Sequence, residues 1–407
     1  MHYNHHTLTN GLRILHLPNQ SPVVYCGFSV AVGTRDERSE EMGMAHFVEH
    51  MVFKGTTKRK AWHILNRMEA VGGELNAYTN KEETVIYSAL LSQDIDRALE
   101  MLVDICFHST FPQKEIDKEV EVIIDEIDSY QDTPTEQIYD DFEELLFKGH
   151  PLGHNILGIP DQLRHFKTED ALAFVKRYYQ PSNMVFFASG NINFDKLVKR
   201  LERLTSDLNN VPVTRVMGTI PAYNPQKILI PKGTNQAHVM LGAPAYNAHN
   251  SKRTGLYLLN NILGGPGMNS LLNVSLRERR GLVYQVESNI TGYTDTGLFT
   301  IYFGTDHSDV DKCMRYSERE LLRLCDTSLS AQQLKAAKKQ LIGQIGVASD
   351  NYESIILGLS KRYLHHGSIE EPEALFMRIQ QLTALELQEI AQEVFAPNHL
   401  TMLHYSK

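Results

Sequence analysis

Five consecutive residues, His46-Phe47-Val48-Glu49-His50, have the types and spacing to do chemistry. They lie in GMAHFVEHMVFK (43–54), a stretch apolar nearly all round that reads as a buried helix. At about 100° per residue, His46 and His50 fall roughly 40° apart and Glu49 about 60° to the other side of His46, so the three side chains converge. Two imidazoles at i and i+4 can share one zinc ion, and a carboxylate beside them is placed to act as general base on a metal-bound water. Burying a charged glutamate between two histidines in an otherwise apolar helix is costly unless it has such a partner.

A catalytic zinc ion takes three protein ligands and keeps one position open, so a third donor is expected on another element. A helix expected over 113–130 has the apolar stripe Ile116, Val120, Ile123, Ile124 and Ile127, with Glu121, Asp125 and Asp128 on the solvent side. Glu119 and Glu126 fall at the edge of that stripe, seven residues apart and stacked on one face. Periodicity makes these two the acids best placed to reach inward, one as ligand and one as support, without deciding which is which.

These groups must be carried by a larger framework. An alternating segment (Thr9–Leu17), a turn (Pro18–Pro22) and an apolar run (Val23–Val32) predict a hairpin and strands. A helix near Lys60–Val71 stops at Gly72-Gly73, GELNAYTNKEETVIYSALL gives two strands around a polar turn, and helices follow near 94–107 and 113–130. The order of strand, turn, helix, loop and helix over Val85–Ile127 recurs over Phe299–Ile345, and the helix at 43–55 matches one at about 253–265. The expectation is two copies of one α+β unit, joined by the proline-containing stretch Thr205–Gln226.

Composition agrees with two globular units. The chain has 407 residues, room for two to three domains at about 150 residues each, with 42% apolar and 22% charged residues. A net charge of −9 argues against nucleic acid as a partner. Cys26, Cys106, Cys313 and Cys325 are scattered without metal or disulfide spacing, as reduced core residues would be. The N-terminus has no signal-peptide pattern and no stretch reaches about 18 uninterrupted apolar residues, so a cytoplasmic protein without a membrane partner is expected. Of the 18 histidines only His46 and His50 carry the functional argument; His5-His6 and His365-His366 lack partners at ligand spacing, the latter pair preceding Gly367 at a helix end. The segment Gly27-Phe28-Ser29-Val30-Ala31 falls short of a serine-hydrolase elbow.

The H-x-x-E-H pattern, with Glu119 and Glu126 downstream and 75 residues between His50 and Glu126, resembles the M16 metallopeptidases of the pitrilysin, insulinase and mitochondrial processing peptidase type. GMAHFVEHMVFKGT followed by GGELNAYTNKEETVIY is similar to that family almost position by position, and the resemblance covers nearly the whole chain. It implies an α+β fold of two homologous domains, about 1–207 and 222–407, each a mostly antiparallel sheet packed with helices. It also implies one zinc ion per chain held by His46, His50 and Glu126, with Glu49 as general base and Glu119 as supporting carboxylate. The strand carrying Asn76, Ala77 and Tyr78 becomes a substrate-binding edge, which suits an extended peptide of any sequence.

The second half lacks the motif. Leu256, Leu259 and Asn260 stand where His46, Glu49 and His50 do, and Gln344 replaces Glu126. It carries instead GGPGMNSLL (Gly264–Leu272), then Arg277 and Tyr284, which the resemblance assigns to substrate and the reacting carbonyl. The implied activity is a zinc endopeptidase acting on peptides or unfolded polypeptides inside a chamber enclosed by a dimer. A homodimer is expected, with Arg277 and Tyr284 serving the partner copy's zinc; a heterodimer with another family member, or a non-catalytic scaffold, is the alternative.

Overall fold

The computed structural model describes residues 3–215 and 217–407. The chain opens with β1 (Asn4–Thr7), β2 (Arg13–Pro18) and β3 (Val23–Val30), the last buried on both faces as its unbroken apolar run requires. Two short helices, α1 (Met44–Met51) and α2 (Ala61–Glu69), lead into the hairpin β4 (Glu74–Thr79) and β5 (Thr84–Leu91), then α3 (Ile95–Phe107) and α4 (Gln113–Gln131). Next come α5 (Pro134–Leu146), α6 (Pro160–Leu163), α7 (Thr168–Tyr178), β6 (Met184–Gly190) and α8 (Phe194–Leu204). The second half runs β7 (Lys227–Pro231), β8 (Ala237–Ala245), α9 (Arg253–Gly264), β9 (Val283–Gly292), β10 (Gly297–Thr305), α10 (Val310–Asp326) and α11 (Ala331–Ala348). It closes with α12 (Tyr352–His366), α13 (Pro372–Gln381), α14 (Ala384–Val394) and β11 (Thr401–Ser406).

The repeat seen in the sequence is a repeat of topology. One sheet has the order β1-β2-β6-β3-β5-β4 and the other β7-β11-β8-β10-β9. Leaving out β1, the two match strand for strand: β2 and β6 are parallel, as are β7 and β11, and every other neighbouring pair is antiparallel. The fold is α+β, with two mostly antiparallel sheets, each packed with helices. In both sheets the hairpin strand ahead of the paired helices, β4 or β9, ends the sheet with one edge open.

Packing divides the chain into two units that are discontinuous in sequence. One comprises the chain up to Asp128, His154–Gly218 and Ser349–Ile369; the other comprises Ser129–Gly153, Thr219–Ala348 and Glu370–Lys407. Each half therefore lends one helix to the other. Helix α5 buries Ile138, Phe142 and Leu146 with Met240, Tyr302, Leu403 and Tyr405 of the second sheet. Helix α12 buries Ile356, Tyr363 and Leu364 with Leu15, Val85, Val185 and Phe187 of the first. Fully burying an aromatic or large aliphatic side chain stabilises by roughly 1.5–3 kcal/mol, so neither helix is a loose appendage.

Polar anchors fix α12 as well. Lys361 and His365 bind the buried Glu83 at 2.6 and 2.9 Å, and Arg13 donates to the terminal carbonyls of Tyr363 and Leu364. The four cysteines are free and buried. No described helix is long and apolar enough to cross a membrane.

Candidate metal centre

Helix α1 begins at Gly43, whose φ of +91° is a left-handed conformation that favours glycine. A Cβ there would lie 2.7 Å from Cα of Gly158, so the loop at 157–158 and the start of α1 approach backbone to backbone. No side chain at the cap position satisfies the first amides. The buried carboxylate of Glu37 does so from the preceding loop, accepting from the amides of Gly43 at 2.9 Å and Ala45 at 2.8 Å. Met44, Ala45, Phe47, Val48 and Met51 are then buried around the helix, which leaves His46, Glu49 and His50 as its chemical face.

Helix α4 brings Glu126 to that face. Its Oε2 lies 3.9 Å from Nε2 of His46 and 3.7 Å from Nε2 of His50, and ligand atoms of all three residues fall within 4.8 Å of one another. These separations are too long for hydrogen bonds. They are close to the roughly 3.3–3.6 Å that a tetrahedral ion with bonds of about 2.0–2.2 Å imposes on its ligands. Two imidazole nitrogens and one carboxylate oxygen are the donors of a catalytic zinc site, and the residues present fit such an ion. Among the described residues no other group of three His, Cys, Asp or Glu side chains converges in this way.

Which acid binds and which supports is decided by geometry. Glu119 faces the opposite nitrogen of His50, with Oε1 3.0 Å from Nδ1, so it fixes the ring with Nε2 directed at Glu126. Lys54, four residues beyond His50, holds Oε2 of Glu119 at 2.6 Å. Burial alone would raise the Glu119 carboxyl, but its bonds to His50 and Lys54 outweigh that and hold it below the usual range. For His50, burial would lower the imidazole; Glu119, with the charges of Glu49 and Glu126, raises it instead. His46 is pulled down to about 3 by burial and by the neighbouring His50, so it stands as the neutral imidazole a metal requires.

Glu49 is raised by burial and by Glu126, against a hydrogen bond from Thr79 on β4 and the charge of His50. It opens into a cleft of about 420 Å³ whose walls include His50, Phe53, Lys54, Leu75, Asn76 and Ala77. The metal helix therefore faces the open edge of β4. Asn76 and Ala77 line the cleft, whereas the ring of Tyr78 packs with Tyr87 on the sheet face that α12 covers. Lys54, Thr79 and Glu37 were not singled out from sequence; the i,i+4 spacing of His50 and Lys54 is the one local signal that points to any of them.

In the second unit, Leu256 and Leu259 are buried core residues of α9, and Asn260 donates to the carbonyl of Ser288. Arg277 and Tyr284 lie at the surface, Tyr284 66% exposed, and neither side chain has a hydrogen bond or ion pair among the described residues. His365, one of the histidines without ligand spacing, belongs to the Glu83 cluster.

Known proteins match this architecture end to end. The model of a family described as insulinase, peptidase family M16, matches residues 13–159, and that of the peptidase M16 inactive domain matches 165–341. The chain belongs to peptidase family M16. The inactive-domain match falls on the half without the histidine pair. Among its M16 relatives, an uncharacterized zinc protease of Rickettsia felis is 35% identical over 97% of this chain and 95% of its own length. The uncharacterized zinc protease YmxG of Bacillus subtilis is 30% identical over 98% of this chain and 97% of its own. Of solved structures, a protease from Helicobacter pylori superposes with a TM-score of 0.91 at 22% identity, covering 100% of both chains. The periplasmic protease PqqL of Escherichia coli gives 0.83 at 20% identity, covering 99% of this chain and 47% of that one.

Proposed function

We propose that this M16 protein is a zinc-dependent endopeptidase that cleaves peptides and unfolded polypeptides. The observation that carries the reading is the convergence of His46, His50 and Glu126 beside Glu49, in a cleft bordered by the open edge of β4. Naming of its relatives as zinc proteases supports the choice of metal. Bound by those three side chains, zinc would supply Lewis acidity, lowering the pKa of a water and polarising the scissile carbonyl.

The protein's own groups do the rest. The backbone of β4 at Asn76–Tyr78 pairs with an extended substrate, which positions a peptide bond without reading its side chains. Glu49 takes the proton of the attacking water and returns it to the leaving amine, so one carboxylate serves as base and then acid. Glu119 and Lys54 hold His50 in orientation. Arg277 and Tyr284, whose side chains are free to reach a ligand, donate hydrogen bonds to the developing oxyanion of a substrate held by a second copy of the chain. A homodimer enclosing the reaction follows from that division of labour, and folded proteins would be excluded.

Digestion of a diverse mixture of unstructured peptides, with and without chelator and read by mass spectrometry, tests the proposal. Cleavage that disappears with chelator, and in Glu49→Gln, is the expected result. A chain that holds no zinc would instead be a scaffold, one that holds zinc but is inert alone would need a different partner subunit, and cleavage unchanged by Glu49→Gln would overturn the mechanism.

A further inference from the structure

The chain has a single tryptophan, Trp62, and it is 69% exposed on α2. A lone exposed tryptophan needs no explanation by itself. Its surroundings do. Leu65, one turn along, is 46% exposed, and Ala61 and Leu65 both line the cleft beside Glu49 and His50, together with Phe53, Leu75 and Ala77. At about 100° per residue, Ala61 and Leu65 share one direction while Trp62 lies roughly 60° from Leu65, on the outer rim of the cleft-facing stripe. The inner face of α2 is separate: Ile64 and Met68 are buried and anchor the helix. The helix thus uses Ile64 and Met68 for its own packing and leaves Leu65 as apolar surface on the metal cleft, with the exposed Trp62 next to it by helical spacing.

We infer that Trp62 and Leu65 form an apolar subsite for a large aliphatic or aromatic side chain of the peptide substrate, outside the position that is cleaved. The inference rests on the peptidase reading of the cleft and adds a preference to it. Pairing along β4 is indifferent to sequence, so side-chain selection must come from walls such as this one. An indole presents a large rigid apolar face at low entropic cost, which suits it to a rim contact that forms only when substrate arrives. The acid Glu115 on the cleft wall and the Lys54 ammonium, already held by Glu119, give no comparable surface for an apolar group.

Because Trp62 is the only tryptophan, its emission reports this contact directly. The zinc-loaded Glu49→Gln chain would be titrated with an eleven-residue unstructured peptide bearing leucine at alternate positions, free of tryptophan, and with the counterpart bearing serine there. Binding would be followed in parallel by calorimetry. The expected result is saturable movement of the emission to shorter wavelength with the leucine peptide, and binding about tenfold weaker for the serine peptide. Leu65→Ser should weaken binding of the leucine peptide. In the active chain, Trp62→Ala should lower the ratio of kcat/KM for the leucine over the serine peptide by about tenfold.

If calorimetry shows the peptide bound while the emission stays fixed, or if the ratio survives Trp62→Ala, the subsite is wrong and the peptidase reading stands. If neither peptide binds nor is cut, the peptidase reading itself fails, and the subsite with it. Emission that changes on dilution of the protein without peptide would assign the surface to a second copy of the chain and overturn the inference.

Discussion

His50 and Glu119 meet at 3.0 Å through Nδ1 of the ring, on the side away from Glu126. The same imidazole thus has a carboxylate at each nitrogen, one at hydrogen-bond distance and one at the longer spacing of a shared ion. Two acids seven residues apart on α4 are thereby given different tasks by one ring on α1. The pairing also ties the two ligand-bearing helices together, since Lys54 reaches the other oxygen of Glu119 from the end of α1.

Glu119→Gln should therefore weaken zinc binding by about 10–100-fold, the usual cost of removing an outer partner of a ligating histidine. Glu126→Gln, which removes a ligand, should abolish stoichiometric binding. Competition against a chromophoric chelator measures both. Equal affinities for Glu119→Gln and the unaltered chain would show that His50 needs no such support.

Glu49→Gln should retain zinc and lose peptide hydrolysis by at least about 10²–10⁴-fold, the range a positioned acid–base contributes. Elemental analysis alongside a peptide assay separates this from loss of the site. A variant that has lost its zinc would mean that Glu49 is a ligand, contrary to the geometry.

The metal helix and α4 were legible in the sequence because their evidence is local. His46, Glu49 and His50 lie within two turns, and Glu119 and Glu126 share a periodic stripe. The repeat was legible for the same reason, as an order of elements along the chain. What was not legible is the exchange of α5 and α12 between the halves: an amphipathic helix shows which face it buries but not against which sheet. His365 illustrates this, because its partner Glu83 lies 282 residues away. The orientation of Tyr78 was hidden likewise, since alternation along β4 does not say that α12 covers the face its ring takes.

Glu83 gives the exchange a measurable signature. Burial alone would raise its carboxyl, but the hydrogen bond from His365 and the charge of Lys361 outweigh it and hold the carboxyl at about 2. In the unfolded chain it would titrate near its ordinary value of about 4.3. A depressed folded-state pKa stabilises above the unfolded value and is lost as pH falls through the folded one, so this contribution fades between about pH 4.3 and 2. A shift of that size corresponds to about 3 kcal/mol. Glu83→Gln should cost a similar amount at pH 7 and flatten the acid limb of a denaturation profile over that window. An unchanged acid limb would place the docking energy of α12 in its apolar contacts and the hydrogen bonds of Arg13 instead.

Gly43 and Gly158 supply the last test, because they set where α1 begins. An alanine at 43 would need a left-handed backbone, at a cost of about 1–2 kcal/mol, and would also bring its Cβ within 2.7 Å of Gly158 Cα and 2.9 Å of the Leu157 carbonyl. Backbone cannot step aside as a flexible side chain does, so relief must come from moving the loop or the first turn of α1. That turn carries the amides bound by Glu37 and, three residues on, His46. Gly72→Ala is the matched control, since Gly72 is also left-handed, at φ +68°, but has nothing within 4 Å of the added Cβ. Both variants should lose stability in a thermal melt, yet only Gly43→Ala should also lose zinc affinity in chelator competition. Equal zinc affinity in the two would show that the start of α1 moves without carrying His46, and that the metal site is held by α4 and Glu119 instead.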